Sequence, residues 1–175
     1  QLVINELAKL TDQANIEYFN ADLSSLAEVK KLSKDILASR SRLDVLVNNA
    51  GIGPRTKDSP RQLSKDGLEM FFAVNYLAGY FLARELMPLL KSSAPARVIN
   101  VASIAQVAIN FDDPMLENNY GDYQAYSQSK LAQILHTMDL AQQLAGSGVS
   151  ANSLHPATLM NTKMVLDSSA LPDSR

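Results

Sequence analysis

The chain has 175 residues, no cysteine and only two histidines. Without cysteine there is no disulfide framework, no thiol nucleophile and no thiolate metal site, and reducing cytoplasm is the expected compartment by default. His136 and His155 lie 19 residues apart, so no metal site is expected. Excess positive charge is missing as well: 16 Lys and Arg against 18 Asp and Glu leave a net charge of −2. The basic residues are scattered, and the electrostatic footprint that nucleic acid requires is absent. Nor is there a long uninterrupted apolar run. The most apolar window, residues 71–90, is broken by Asn75, Arg84 and Glu85, the pattern of a buried helix and not of a membrane span.

What is present suits one folded unit over residues 1–175. Apolar residues make up 46% of the chain and charged residues 19%, enough for a single soluble domain with a real core. Leu2, Leu7 and Leu10 fall at roughly helical spacing, as if a helix were already under way at Gln1. Ile16-Glu17-Tyr18-Phe19 is expected to be a short strand. Ser25-x-x-Glu28 has the form of a capping box and opens a helix carrying Val29, Leu32, Ile36 and Leu37. Leu43-Asp44-Val45-Leu46-Val47 is a compact apolar strand ending in Asn48-Asn49-Ala50-Gly51. Strand, helix, strand is the rhythm of a parallel sheet. A polar loop over residues 53–64 leads to a helical segment from about Asp66 to Leu90, with Asn75 in its middle. Residues 97–103 form a continuous apolar strand of the buried parallel kind, ending in Ser103. Residues 104–121 are a long loop, which in a compact domain tends to carry function. A helix then runs from Asp122 to about Ala145, closed by Gly146 and Gly148, and residues 149–154 form a further strand before His155-Pro156.

The helix opening Asp122-Tyr123-Gln124-Ala125-Tyr126-Ser127-Gln128-Ser129-Lys130 sets Tyr126 and Lys130 four residues apart, on one helical face. A phenol ordinarily titrates near 10, so proton transfer near neutral pH requires lowering it by roughly 2–3 units, or about 3–4 kcal/mol. One ammonium roughly 4 Å away at an effective dielectric of about 20 supplies energy of that order. Tyr126 is thus suited to exchange a proton with a substrate oxygen while Lys130 favours the phenolate. The plainer reading of the pair alone is two polar residues sharing a half-exposed face.

The company of that pair decides between the two readings. Asn48-Asn49-Ala50-Gly51 ends one strand, Ser103 ends the next, and Tyr126-x-x-x-Lys130 opens the following helix. In order, spacing and placement this resembles the short-chain dehydrogenase/reductase family, over most of the chain from Ile16 to about Met164. Phe111-Asp112-Asp113-Pro114 and Tyr126-Ser127-Gln128-Ser129-Lys130-Leu131-Ala132 are similar to the retinol-dehydrogenase-like branch.

The resemblance implies a doubly wound, three-layer α/β/α Rossmann-type parallel sheet and an oxidoreductase using NAD or NADP. It implies a catalytic set of Asn75, Ser103, Tyr126 and Lys130. Tyr126 would handle the proton and Ser103 would hydrogen-bond the substrate oxygen. Lys130 would also bond the nicotinamide ribose, and Asn75 would hold a water that completes a proton relay. On the cofactor side, Asp22 would meet the adenine amino group and Leu23 flank that ring, while Asn49, Ala50 and Gly51 line the dinucleotide, with small side chains permitting close backbone approach. Pro156 and Thr162 would lie near the carboxamide, with Thr158 competing for that contact. Asn48 is expected to brace the sheet, and His155 is given no proton chemistry. The helices over residues 66–90 and 123–145 carry more apolar residues than one sheet face needs, and because the family's corresponding helices pair across subunits, the resemblance implies a homodimer or homotetramer.

Departures from the family pattern set further expectations. No Gly-x-x-x-Gly-x-Gly loop occurs, although the family binds pyrophosphate with one at a helix N-terminus. The chain is therefore expected to be an internal stretch of a longer enzyme, lacking one upstream βαβ unit of roughly 30 or more residues and the substrate-covering segment beyond Arg175. By itself it is expected to turn over poorly or not at all. Ala157 stands where the family has glycine. The 23-residue separation of Ser103 from Tyr126 suggests a loop that shapes the substrate pocket.

The expected reaction is hydride transfer between nicotinamide and a secondary alcohol or carbonyl of a small, moderately apolar molecule. One alternative is a sugar-nucleotide epimerase or dehydratase of the related extended group, against which the Asn-Asn-Ala-Gly strand end speaks. The other is a non-catalytic dinucleotide-binding relative.

Overall fold

The computed structural model describes residues 16–54 and 60–157. Leu2, Leu7, Leu10, Thr158, Thr162, Met164 and Val165 lie outside the described residues. Three parallel strands form the sheet in the order β1 (Val45–Asn48), β2 (Ala96–Val101) and β3 (Val149–Leu154). Val45 pairs with Arg97 and Asn48 with Asn100, while Ala96 pairs with Val149 and Val101 with Leu154. All three carboxyl ends therefore reach the same edge, as the expected α/β parallel architecture requires. Helix α1 is Leu26–Ser39, α2 is Ala78–Ser92 and α3 is Asp122–Gln143.

The alternation of burial along β2 and β3 shows which sheet face the helices cover. Ala96, Val98, Val149 and Ala151 join Ala83 and Leu90 of α2 and Leu140 of α3 in one buried cluster, with Leu46 of β1 against it. Val98 and Leu90 are fully buried, and truncating Leu90 to Ala would cost about 2–5 kcal/mol. On β1, Val45 and Val47 are exposed. A polar chain crosses the covered face: Asn48 Nδ2 donates to Asn100 Oδ1 at 2.8 Å, and Asn100 Nδ2 donates to Thr137 Oγ1 of α3 at 2.8 Å. Asn48 braces the sheet as expected.

Three local expectations are corrected. Ile16-Glu17-Tyr18-Phe19 is not a strand among the described residues; a strand exists through its ladder, and β1 pairs only with β2. Ser25 does cap α1, accepting from the Glu28 amide at 3.4 Å, but the reciprocal half of the capping box is absent. The Glu28 carboxylate instead accepts from the Asp22 amide at 2.8 Å. The segment expected from about Asp66 starts its helix at Met70. Gly67, with φ 77°, turns the chain first, and Ser64 Oγ accepts from the amides of Asp66 and Leu68. Glu69 then caps the helix, accepting from the Phe71 and Phe72 amides at 3.1 and 2.7 Å.

Candidate active site

Between that cap and α2, residues Phe72–Leu77 form a π-helix with Asn75 buried inside it. Widened turns of this kind are rare and frequent at functional sites. The Asn75 side chain leaves its own helix for the strand end: Oδ1 accepts from the Ile52 amide at 2.8 Å and Nδ2 donates to the Ile52 carbonyl at 3.0 Å. Nδ2 also donates to Ser129 Oγ at 3.1 Å, and Ser129 donates to the Tyr126 carbonyl at 2.6 Å. One amide thus fastens the segment after β1 to the turn of α3 that carries Tyr126 and Lys130.

Helix α3 is stopped at Leu144 and Gly146, the latter with φ 76°. In its first half, Ala125, Ser129 and Ala132 are small and buried, which lets the π segment approach closely. Lys130 is 4% exposed, and Nζ donates to the Val101 carbonyl at the end of β2 at 3.0 Å and to Gln133 Oε1 at 3.4 Å. Burial pushes its ammonium down to about 8. The Nζ lies 6.0 Å from the centre of the Tyr126 ring, so the expected pair shares one face. Tyr126 is partly buried, with Phe71 edge-on at 6.2 Å. Ser103 lies two residues beyond Val101, and its Oγ accepts from the Ala105 amide at 3.1 Å, leaving its own O–H to donate.

The cofactor-side residues gather at the same edge. Leu23, Val47, Asn49, Ala50, Val74 and Asn75 line one cavity. A Cβ built on Gly51 would stand 3.1 Å from Asn75 Oδ1 and 3.6 Å from Lys130 Nζ, so glycine permits the close approach there. Asp22 is exposed; hydrogen bonds from Ser24, then Lys65, hold its carboxyl down at about 2. Its oxygens accept from the Ser24 amide at 2.9 Å and meet Lys65 Nζ at 3.0 Å, so in this structure it shapes the turn into α1. Pro156 and Ala157 are exposed beyond β3, and His155 is exposed beside them. The residues present fit a dinucleotide: there is a cavity at the strand ends, and Lys130, with three N–H donors, has one left after Val101 and Gln133. Among the described residues no group of acidic, histidine or cysteine side chains is arranged to hold a metal ion.

Several residues that hold these side chains in place escaped the sequence reading. Ser129 and Gln133 hold Asn75 and Lys130, and Gln128, 1% exposed, bonds the long loop. Between residues 123 and 138 the only charged side chain is Lys130. A helix without a charged face is buried on most sides, and that was the available signal.

Comparisons with known proteins agree with this geometry. The model of the family described as short chain dehydrogenase matches residues 1–171. Human retinol dehydrogenase 13 is 43% identical over 138 residues, covering 77% of this chain and 40% of that protein. Human retinol dehydrogenase 14 is 45% identical over 137 residues, with the same two coverages. The chain thus spans about two-fifths of the length of these curated relatives. Pseudomonas aeruginosa RhlG, solved as an NADP active-site complex, aligns with a TM-score of 0.66 at 29% identity, over 87% of this chain and 57% of that one.

Proposed function

This chain belongs to the short-chain dehydrogenase family and resembles the retinol dehydrogenases within it, and from that premise we propose that it carries the catalytic half of an NAD- or NADP-dependent oxidoreductase acting on a secondary alcohol or carbonyl. The observation that carries the reading is the Lys130 bond to the Val101 carbonyl, which anchors the Tyr126 face of α3 at the end of the strand leading to Ser103. The bound cofactor would accept or supply the hydride. Tyr126 exchanges the proton with the substrate oxygen, and Ser103 donates a hydrogen bond where charge develops on that oxygen. Lys130 presents its remaining N–H to the cofactor ribose and its charge to Tyr126. Asn75 keeps the strand end and the catalytic turn in register.

Leu23, Asn49, Ala50 and Gly51 are the proposed dinucleotide wall, Asp22 the proposed adenine contact, and Pro156 and Thr162 the proposed carboxamide side. The substrate is proposed to be small and moderately apolar. A homodimer or homotetramer is part of the same proposal. Tyr80, Arg84, Met87, His136 and Leu140 line an open groove between α2 and α3, and gel filtration of the intact protein tests it, a monomer counting against it. A cytoplasmic location is also proposed and rests on composition alone. Among the described residues no helix is long and apolar enough to cross a membrane.

The deciding experiment is Tyr126→Phe in the intact protein, with hydride transfer and dinucleotide affinity measured side by side. Hydride transfer is expected to collapse while affinity holds. An unchanged turnover overturns the mechanism, and dinucleotide binding with no turnover in the unaltered protein favours the non-catalytic alternative.

A further inference from the structure

Gln128 of α3 hydrogen-bonds the backbone of the loop over residues 104–121 at two points. Gln128 Oε1 accepts from the Asn110 amide at 3.1 Å, and Gln128 Nε2 donates to the Pro114 carbonyl at 2.7 Å. The partners are an N–H and a C=O, so they fix which end of the carboxamide faces which. Gln128 lies between Tyr126 and Lys130 in sequence and is buried, and a buried amide with both ends satisfied is a rigid joint.

What the joint holds is a strained plug. Leu116 has φ 47°, an arrangement uncommon for a bulky residue and maintained only when its surroundings demand it. It is 1% exposed and packs with Phe71 and Ala125, with Tyr126 and Ile52 against the same cluster. Arg61 Nε donates to the Met115 carbonyl at 3.0 Å, and Asp113 accepts from the amides of Glu117 and Asn118 at 2.8 and 2.9 Å. The stretch over residues 110–118 is thus tied down on either side of Leu116.

We propose that Gln128 is a positioning residue that makes residues 110–116 a fixed wall of the substrate pocket, with Leu116 seated beside Tyr126. This rests on the oxidoreductase reading above. Gln128 does no proton chemistry. It sets how much room an apolar substrate has beside the Tyr126 ring, and so it governs substrate size more than the rate of the chemical step.

The test uses Gln128→Met, which keeps volume and loses both hydrogen bonds, in the intact protein. KM for a long-chain apolar secondary alcohol is expected to rise about tenfold, while KM for a small secondary alcohol and kcat for both stay within about twofold. Amide exchange of residues 110–118 is expected to accelerate about tenfold or more, with α3 unchanged. Leu116→Ala, which lies off the helix, is expected to give the same substrate-size split and covers the case in which Gln128→Met fails to fold. Equal rises in KM for both alcohols, a fall in kcat alone, or unchanged exchange would overturn the proposal. If the unaltered protein oxidises no secondary alcohol with NAD or NADP, the oxidoreductase reading falls, and the exchange measurement still decides whether Gln128 holds the loop.

Discussion

Asn75 grips Ile52 from both sides, its Oδ1 accepting from the amide at 2.8 Å and its Nδ2 donating to the carbonyl at 3.0 Å. A side-chain amide satisfying both backbone groups of one residue imitates a strand neighbour, at the point where the chain leaves β1. Replacement by Leu keeps the volume but leaves that N–H and C=O without their partner, and each orphaned group costs about 1–3 kcal/mol. Asn75→Leu is expected to lower stability by about 2–4 kcal/mol and to weaken dinucleotide binding, measured by urea unfolding and by titration.

Lys130 makes stability depend on pH. Burial holds it at about 8, whereas in the unfolded chain it returns to its ordinary value of about 10.4. Between those values the unfolded chain binds the extra proton, so stability rises as pH increases through the window. It is lowest below about 8, and the whole span is worth about 3 kcal/mol. Urea midpoints at several pH values across this range check it. In Lys130→Met the rise should disappear.

Two glycines separate backbone strain from crowding. Gly146 and Gly148 both have positive φ, 76° and 77°, which costs an alanine about 1–2 kcal/mol. A Cβ on Gly146 meets nothing within 4 Å, whereas one on Gly148 stands 2.9 Å from Ala94 Cβ, adding roughly 1–3 kcal/mol of overpacking. Gly148→Ala is expected to lower the melting temperature clearly more than Gly146→Ala. Equal losses would mean that Ala94 moves aside freely.

How far these features were legible in the sequence depends on whether they were local. Residues 97–101 read as a strand because Val98, Ile99 and Val101 form an apolar run broken only by Asn100, and Gly146 and Gly148 marked the helix end because glycine is the residue that most readily takes positive φ. Tyr126 and Lys130 were legible because a helix converts a spacing of four into contact. The failures are non-local. Ile16-Glu17-Tyr18-Phe19 has strand composition, but pairing is decided by a neighbour that composition does not show. The π-helix at Asn75 and the positive φ of Leu116 leave no pattern in the residues around them. Gln128 and Ser129 resemble surface residues until their partners, Pro114 and Asn75, are brought against them by the fold.

Gly51→Ala probes the proposed dinucleotide edge without removing a polar side chain. The added Cβ would crowd Asn75 Oδ1 at 3.1 Å, displacing it by a few tenths of an ångström at a cost of roughly 1–2 kcal/mol. Dinucleotide affinity is expected to fall about tenfold with the helices intact by circular dichroism. Unchanged affinity would place the dinucleotide elsewhere.

The most direct measurement is single-turnover hydride transfer by the intact protein and its Tyr126→Phe variant, followed at the nicotinamide absorbance with a secondary alcohol. The variant is expected to lose at least about a hundredfold in rate, with dinucleotide affinity within about twofold because the phenyl ring preserves the packing against Phe71. A variant that transfers hydride at the original rate would contradict the proposed mechanism.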